Sequence, residues 1–170
     1  MSDILERVKG ERGLLEKITS YIPGYHGYKE KELRRESDKL VREYAVQKLK
    51  EAKTTINEAV REVSDSGNLS AFQYANRALA VLDRVTNKVE HADYGYSGFF
   101  DAVKVREDKL DKLTEFDYTL VDLAKSIKDA ASSVAGQPDM SKAFDDFRKK
   151  VLEVESTLNN RESVIFEVSK

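Results

Sequence analysis

No glycine or proline interrupts the chain between Tyr28 and Asp65, and apolar residues recur there at every third or fourth position. The recurring residues are Ala45, Leu49, Ala52, Ile56, Ala59 and Val63. Spacings that alternate between four and three form a heptad seam, which places these side chains on one face of an α-helix. The pattern therefore predicts a continuous helix over residues 28–65, roughly 55 Å long.

Breaks elsewhere in the chain are few. The 170 residues include 8 glycines and 2 prolines, and most of these lie at Pro23-Gly24, Ser66-Gly67-Asn68, a loop over 93–98, and Gly136-Gln137-Pro138. The stretches between them share the helical periodicity, which predicts helices over residues 3–22, 28–65, 69–92, 98–135 and 139–168. Few turns and abundant helix-forming residues favour an all-α fold, and the length favours a single domain over residues 1–170.

Short connections make consecutive helices antiparallel neighbours. The four long helices are therefore expected to form an up-down-up-down antiparallel four-helix bundle, with the additional N-terminal helix packed on one flank. That first helix places Ile4, Val8, Leu15, Ile18 and Ile22 on one face. Because Gly10 and Gly13 each cost about 1 kcal/mol relative to alanine in a helix, we expect packing and not propensity to hold it.

Two local patterns refine the helix ends. Asn68 or Ser70 is placed to cap the third helix, since both side chains accept hydrogen bonds from free backbone N–H groups. Residues 163–168 are rich in strand-forming types, but the apolar stripe of the last helix continues through them to Ile165 and Val168. We therefore expect the last helix to include them.

The charge balance and the cysteine content exclude several classes of protein. The chain has 29 basic and 31 acidic side chains, so it lacks the positive excess of a dedicated nucleic-acid binder. It has no cysteine, which excludes disulfides, thiol catalysis and cysteine-ligated metal sites. No apolar run of about 18 residues occurs, and charges stand near the N-terminus where a secretory signal is apolar, so we expect a soluble, cytoplasmic protein.

The candidate binding residues cluster in two loops. Alternate loops of an up-down bundle meet at one end, and the loops after the first and third predicted helices are the two rich in tyrosine and glycine. Their candidate ligand- or partner-binding residues are Tyr25, His26, Tyr28, His91, Tyr94 and Tyr96. Tyrosine offers apolar area and a hydroxyl group, which suits a contact surface or a small polar pocket. The favoured alternative is that these aromatic residues only close the end of the core.

No motif indicates a cofactor or a metal. His26, His91 and Asp93 could supply three ligands, but no local spacing holds two of them together. A di-iron bundle needs a glutamate three residues before each histidine, and positions 23 and 88 are proline and lysine. Phosphate-binding glycine loops and nucleophile elbows are also absent from the sequence.

Charged residues interrupt one apolar stripe. Arg106 and Asp117 fall where the fourth predicted helix calls for apolar side chains, which can mark a buried polar network. The favoured interpretation shifts the stripe through Phe116 and Leu123 and leaves Asp117 in water. A short basic cluster, Lys29, Lys31, Arg34 and Arg35, is interleaved with glutamates and is expected to form a solvated face with ion pairs.

Residues 35–40 resemble residues 106–110, each following a Tyr-Gly-rich loop. Either chance or a duplicated helix hairpin explains a match this short.

These observations favour a non-enzymatic helical interaction or scaffolding protein that contacts another protein, or a second copy of itself, through the Tyr/Gly/His-rich loop end or an exposed seam. One alternative is a peripheral membrane protein that uses the amphipathic first helix, although the polar face of that helix mixes both charges. Another is a small-molecule or metal-dependent enzyme at the Tyr/His loop end.

Overall fold

The computed structural model describes residues 2–168, apart from the side chain of Val168. All regular secondary structure in that range is helical, and no strand occurs in it. The helices are α1 (Ser2–Tyr21), a 3-10 helix (Lys31–Leu33), α2 (Arg34–Ser66), α3 (Leu69–Glu90), α4 (Ser97–Asp101), α5 (Glu107–Ser132) and α6 (Met140–Val168). The all-α prediction is confirmed.

Several predicted elements are also confirmed. Helices α1, α3 and α6 match the predicted ranges 3–22, 69–92 and 139–168 to within two residues at each end. Asn68 caps α3, because its side-chain oxygen accepts a hydrogen bond from the backbone N–H of Ala71 at 3.1 Å. Residues 163–168 are helical, as the apolar stripe predicted, although the side chain of Val168 lies outside the described part of the chain.

The prediction of one helix over 98–135 is wrong. Helix α4 ends at Asp101, Ala102 adopts an extended backbone (φ −64°, ψ 123°), and α5 begins at Glu107. Val103, which the pattern placed on the buried stripe, is 80% exposed. The carbonyl of Ala102 instead accepts a hydrogen bond from the Arg34 guanidinium at 2.7 Å, a bond that the pattern of apolar residues does not reveal.

The second predicted helix begins six residues later than expected. A left-handed Gly27 (φ 77°) precedes Tyr28, Glu30 is extended (φ −90°, ψ 119°), and only then does the 3-10 turn lead into α2. The side chain of Tyr28 is fully buried. Its burial holds this segment against the core, and the segment does not become part of α2.

The described residues form two compact units. The second unit comprises Ala45–His91 and Asp122–Ser156. Its α2 seam is buried as predicted, with Ala45, Leu49, Ala52, Ile56, Ala59 and Val63 all in the core. The ion pairs Lys53–Asp83 (2.8 Å) and Lys50–Glu90 (3.4 Å) show that α2 and α3 run antiparallel there.

The first unit comprises residues 2–44, 92–121 and 157–168. In it α5 and α6 run antiparallel, as the ion pairs Lys109–Glu167 (2.8 Å) and Asp117–Arg161 (2.7 Å) show. The apolar residues of α1 are buried only in its second half. Of the predicted stripe, Ile18 and Ile22 are buried, whereas Ile4 and Val8 are exposed (66% and 48%), as is the neighbouring Leu5 (58%).

We expect Asn68→Ala to lower the free energy of unfolding by about 1 kcal/mol, because it removes the side-chain cap of α3. Ser70→Ala is the matched control, since Ser70 is exposed and makes no capping bond in this structure. Urea denaturation of both variants measures the difference. Equal losses would show that Asn68 is not the cap.

Candidate functional site

The heptad seams of three helices each contain a buried charge. Counting back from Ala45 in steps of three and four reaches Arg42 and then Asp38 on α2. The seam of α5 contains Asp117, and the seam of α6 contains Arg161 between Leu158 and Ile165. All four charged side chains are buried, and Asp117 and Arg161 have no exposed surface. These seam positions therefore bring both signs of charge into the core of the first unit.

The guanidinium of Arg161 is the centre of this cluster. Its Nε donates to Asp117 Oδ1 at 2.7 Å, and its Nη2 donates to Asp38 Oδ1 at 2.6 Å. Nη2 also donates to the Tyr28 hydroxyl at 2.8 Å. One planar side chain of α6 thus joins α2, α5 and the segment that precedes α2.

The charges of the cluster sum to zero. Two carboxylates face one guanidinium at Arg161, and the Nε of Arg42 donates to Asp38 Oδ2 at 2.9 Å. Buried ions are tolerated when they are paired and hydrogen-bonded, and removing one partner costs several kcal/mol. Arg161 Nη1 is buried without a hydrogen-bond partner among the described residues, which adds a desolvation cost to the cluster.

Two tyrosines complete the shell around Asp117. The hydroxyl of Tyr25 donates to Asp117 Oδ2 at 2.8 Å, and the hydroxyl of Tyr28 donates to the same oxygen. Between α1 and α2, Gly24 and Gly27 adopt left-handed conformations (φ 95° and 77°), which turn the chain so that both rings reach the core. We call Tyr25, Tyr28, Asp38, Arg42, Asp117 and Arg161 the charged cluster.

A chain of ring contacts continues from the charged cluster. It runs through Tyr25, Tyr28, Phe99, Phe100, Tyr96 and Phe166, with centroids 5.6–6.4 Å apart. Arg34 supports this chain: its guanidinium donates to the carbonyls of Tyr28 (2.9 Å) and Ala102 (2.7 Å). The expectation that Arg34 lies on a solvated face is wrong, because these carbonyls offer it a buried site.

Burial shifts the pKa values of the tyrosines and of Asp117. It raises the pKa of Tyr25 and of Tyr28 well above the usual value, and it raises the pKa of Tyr96, whose hydroxyl donates to Glu162 Oε1 at 2.9 Å. Burial also raises the pKa of Asp117, against the opposing effects of Arg161 and the tyrosine hydroxyls. Burial disfavours the charge of Arg161, but Tyr28, Asp117 and Asp38 outweigh it and raise the pKa of Arg161.

The structure separates the predicted binding residues into two groups. Tyr25, Tyr28 and Tyr96 are buried in the first unit, and their hydroxyls are bonded to carboxylates. His26 and His91 are exposed, and Tyr94 is 80% exposed. His91 Nε2 lies 4.0 Å from Glu90 Oε2. Over residues 2–168, no group of three or more histidine, aspartate or glutamate side chains is arranged to hold a metal ion.

An open groove of about 800 Å³ lies beside α1 in the first unit. It is lined by α1, by residues 26–29 and by the start of α5, and we call it the α1–α5 groove. Two ion pairs join residues that line this groove: Arg7 pairs with Asp111 at 2.6 Å, and Lys29 pairs with Glu11 at 2.7 Å. A hydrogen bond with the Asp111 carboxyl, followed by burial, raises the pKa of Glu11, while Lys29 lowers it.

The sequence interpretation of Asp117 is wrong, and it missed Asp38, Arg42 and Arg161. Asp117 is not in water, because Arg161 supplies its partner from another helix. The sequence does contain a signal, because the three-and-four spacing of each seam continues through these charged positions. Arg106, by contrast, is exposed and pairs with Asp108 at 2.9 Å.

No family model, curated protein or solved structure matches this chain.

We expect Tyr25, Tyr28 and Tyr96 to stay protonated above pH 10 until the chain unfolds. Burial raises the pKa of each of these tyrosines in the folded chain above the unfolded value of about 10. Their contribution to the free energy of unfolding is therefore fully present below pH 10 and is lost as the pH rises through the folded pKa values. Phenolate absorbance and helicity, followed together during alkaline titration, measure this.

Tyr25→Phe should remove one of these late ionisations, and Tyr94→Phe, at an exposed position, is the matched control. Ionisation of all eight tyrosines near pH 10 with helicity intact would contradict the buried positions.

Proposed function

We propose that the chain is a non-enzymatic helical interaction module that contacts a partner protein through the N-terminal half of α1. The observation that supports this is the uneven burial of one apolar stripe. Ile18 and Ile22 pack into the core. Toward the N-terminus, the apolar side chains of the first two turns of α1 are exposed. We call Ile4, Leu5 and Val8 the α1 ridge.

The α1 ridge has the size of an interaction patch. Its three side chains expose apolar area on the order of 300 Å², which is at the lower end of the largest patch on a typical monomer, and such patches are often functional. Scattered single apolar residues need no explanation, but three residues within two turns of one helix face do. An amphipathic helix offers such a face to a groove or to another helix.

The two tyrosine-containing loops have buried residues with a structural role and exposed residues that can contact a partner. The hydroxyls of Tyr25 and Tyr96 are bonded to Asp117 and Glu162, which favours a structural role for the buried rings. His26 and Tyr94 remain exposed and are the members of the Tyr/Gly/His-rich loop end that we propose as secondary contacts.

The wider architecture is part of this proposal. Antiparallel α2 and α3 in one unit, and antiparallel α5 and α6 in the other, support an up-down-up-down four-helix arrangement with α1 as the additional helix. A cytoplasmic location stays a prediction from the sequence.

A membrane surface is the second candidate partner, because the same α1 ridge would fit the boundary between headgroups and acyl chains. Helix α1, however, has four acidic residues (Asp3, Glu6, Glu11, Glu16) and four basic ones (Arg7, Lys9, Arg12, Lys17), so it offers no net attraction to anionic lipid. None of the helices over residues 2–168 has a stretch long and apolar enough to cross a bilayer.

A photoreactive side chain placed at position 5 tests this proposal in cells. We expect it to give an adduct of discrete protein mass, whereas the same group at Leu69, which is 69% exposed on α3, should give none. Protein adducts of equal yield at both positions, or adducts with lipid alone at position 5, would contradict the proposal.

A further inference from the structure

The last two turns of α1 are held by a buried side chain and by aromatic contacts. Ile18 has no exposed surface. The Nζ of Lys17 lies 5.4 Å from the centroid of the Tyr118 ring, and the rings of Tyr21 and Tyr44 have centroids 6.2 Å apart. These contacts join the end of α1 to α2 and α5, so this part of the helix is fixed to the first unit.

The first three turns of α1 carry the exposed α1 ridge, and ion pairs link them to the rest of the first unit. Arg7 Nε and Nη2 both donate to Asp111 Oδ2 on α5, at 2.8 and 2.6 Å. Lys29 Nζ donates to Glu11 Oε2 at 2.7 Å. The two cations are 47% and 54% exposed, so salt screens both pairs. We call residues 2–13 the α1 arm.

Arg7 lies between two carboxyl groups. Besides its bonds to Asp111, its Nε is 3.8 Å from Glu11 Oε1 on the same helix. A hydrogen bond with Asp111 raises the pKa of Glu11, so these two acidic side chains are neighbours. Without Arg7, two carboxylates on two different helices would repel each other across the α1–α5 groove.

Two glycines weaken the helix within the α1 arm. Gly10 and Gly13 both lack a left-handed backbone, and a Cβ added at either would meet no neighbouring group within 4 Å. The described residues therefore give no steric reason for glycine at these positions. Glycine is less favourable than alanine in a helix, because it loses more backbone freedom on folding. The weak positions lie at the end of the arm, next to the fixed turns.

We infer that the α1 arm unfolds as a separate local unit, and that the ion pairs Arg7–Asp111 and Lys29–Glu11 are the latch that keeps it helical. An isolated helix this short is marginal in water, and exposed apolar side chains do not stabilise it. The fixed turns stay folded when the arm opens, because the burial of Ile18 does not depend on the latch. Gly13 is the boundary between the two parts.

The latch makes the helical form of the α1 ridge depend on ionic strength. The ridge side chains share one face only while the arm is a helix. Opening of the arm disperses them and removes the wall that the arm contributes to the α1–α5 groove. The first unit therefore presents an ordered ridge at low ionic strength and loses it as salt weakens the latch. This inference concerns the chain alone and stands whether or not the ridge has a partner.

Native-state hydrogen exchange of the purified full chain, followed residue by residue, tests the inference. We expect the amides of residues 6–13 to exchange together, on the order of tenfold faster than those of residues 18–21, with a step after Gly13. The amides of residues 2–5 are not informative, because the first N–H groups of a helix have no partner within it. Salt at about 1 M should speed the exchange of residues 6–13 and leave that of residues 18–21 unchanged.

Arg7→Gln tests the latch. We expect it to speed exchange across the arm by at least about threefold and to reduce the effect of salt, because it removes an ion pair and leaves two carboxylates facing each other. Arg12→Gln is the matched control. Arg12 is also an exposed arginine of the arm, but it forms no ion pair with a described residue, so its loss should leave exchange at the parent rate.

Gly10→Ala and Gly13→Ala test the weak positions. Each should slow exchange across the arm about fivefold, because alanine favours the helix and meets open space at both positions. Neither should change the exchange of residues 18–21.

Equal protection along α1 would overturn the inference, as would protection that rises gradually from the N-terminus with no step after Gly13, which is the pattern of simple fraying. Exchange across the arm that responds neither to Arg7→Gln nor to salt would also overturn it. Failure of the position 5 crosslink to capture a protein in cells would count against the proposed function alone.

Discussion

The guanidinium of Arg161, bonded to Asp38 and to Asp117, is the interaction on which the first unit depends. Each of the three residues occupies a seam position on a different helix, where an apolar side chain is the rule. Sliding any one of the helices by a turn would leave a buried charge without its partner, at a cost of several kcal/mol. Apolar side chains tolerate such slippage more easily, because they have no directional partner to lose. The cluster therefore specifies which residues of α2, α5 and α6 lie level with one another.

The same interaction organises the irregular segments. Asp117 accepts hydrogen bonds from Tyr25 and Tyr28, which hold the Gly-containing turn between α1 and α2 against the core. Arg34 then bonds the carbonyls of Tyr28 and Ala102, and this links that turn to the break between α4 and α5. Two segments that look like flexible loops by composition are thus fixed by buried hydrogen bonds. Helix α1 buries Ile18 near its end, whereas the apolar side chains of its first two turns, Ile4, Leu5 and Val8, stay exposed.

The periodicity of apolar residues predicted most of the helices, because the apolar side chains determine which face of each helix is buried. Residues 69–92 and 139–168 show this, and so does the buried seam from Ala45 to Val63. It failed at Ala102 and at Tyr28–Leu33, where hydrogen bonds to a distant arginine and a buried tyrosine override local propensity. It also failed for Asp117, because the cost of burying a carboxylate depends on a partner 44 residues away in the chain. The exposure of Ile4 could not be predicted from the apolar stripe. The stripe shows which face of α1 is apolar, but it does not show how far along the helix that face is covered by other residues.

A double-mutant cycle on Asp117 and Arg161 tests the central role of the cluster most directly. Asp117→Asn leaves excess positive charge in the core and Arg161→Met leaves excess negative charge, so each should lower the free energy of unfolding by about 3–5 kcal/mol. In the double variant Asp38 and Arg42 still neutralise each other, and the loss should be smaller than the sum of the two by at least about 1.5 kcal/mol. The same changes at the partly exposed pair Asp145 and Arg148 of α6 should each cost much less, because water screens that pair. Losses at Asp117 and Arg161 that are small, or that add to within about 0.5 kcal/mol, would contradict this account.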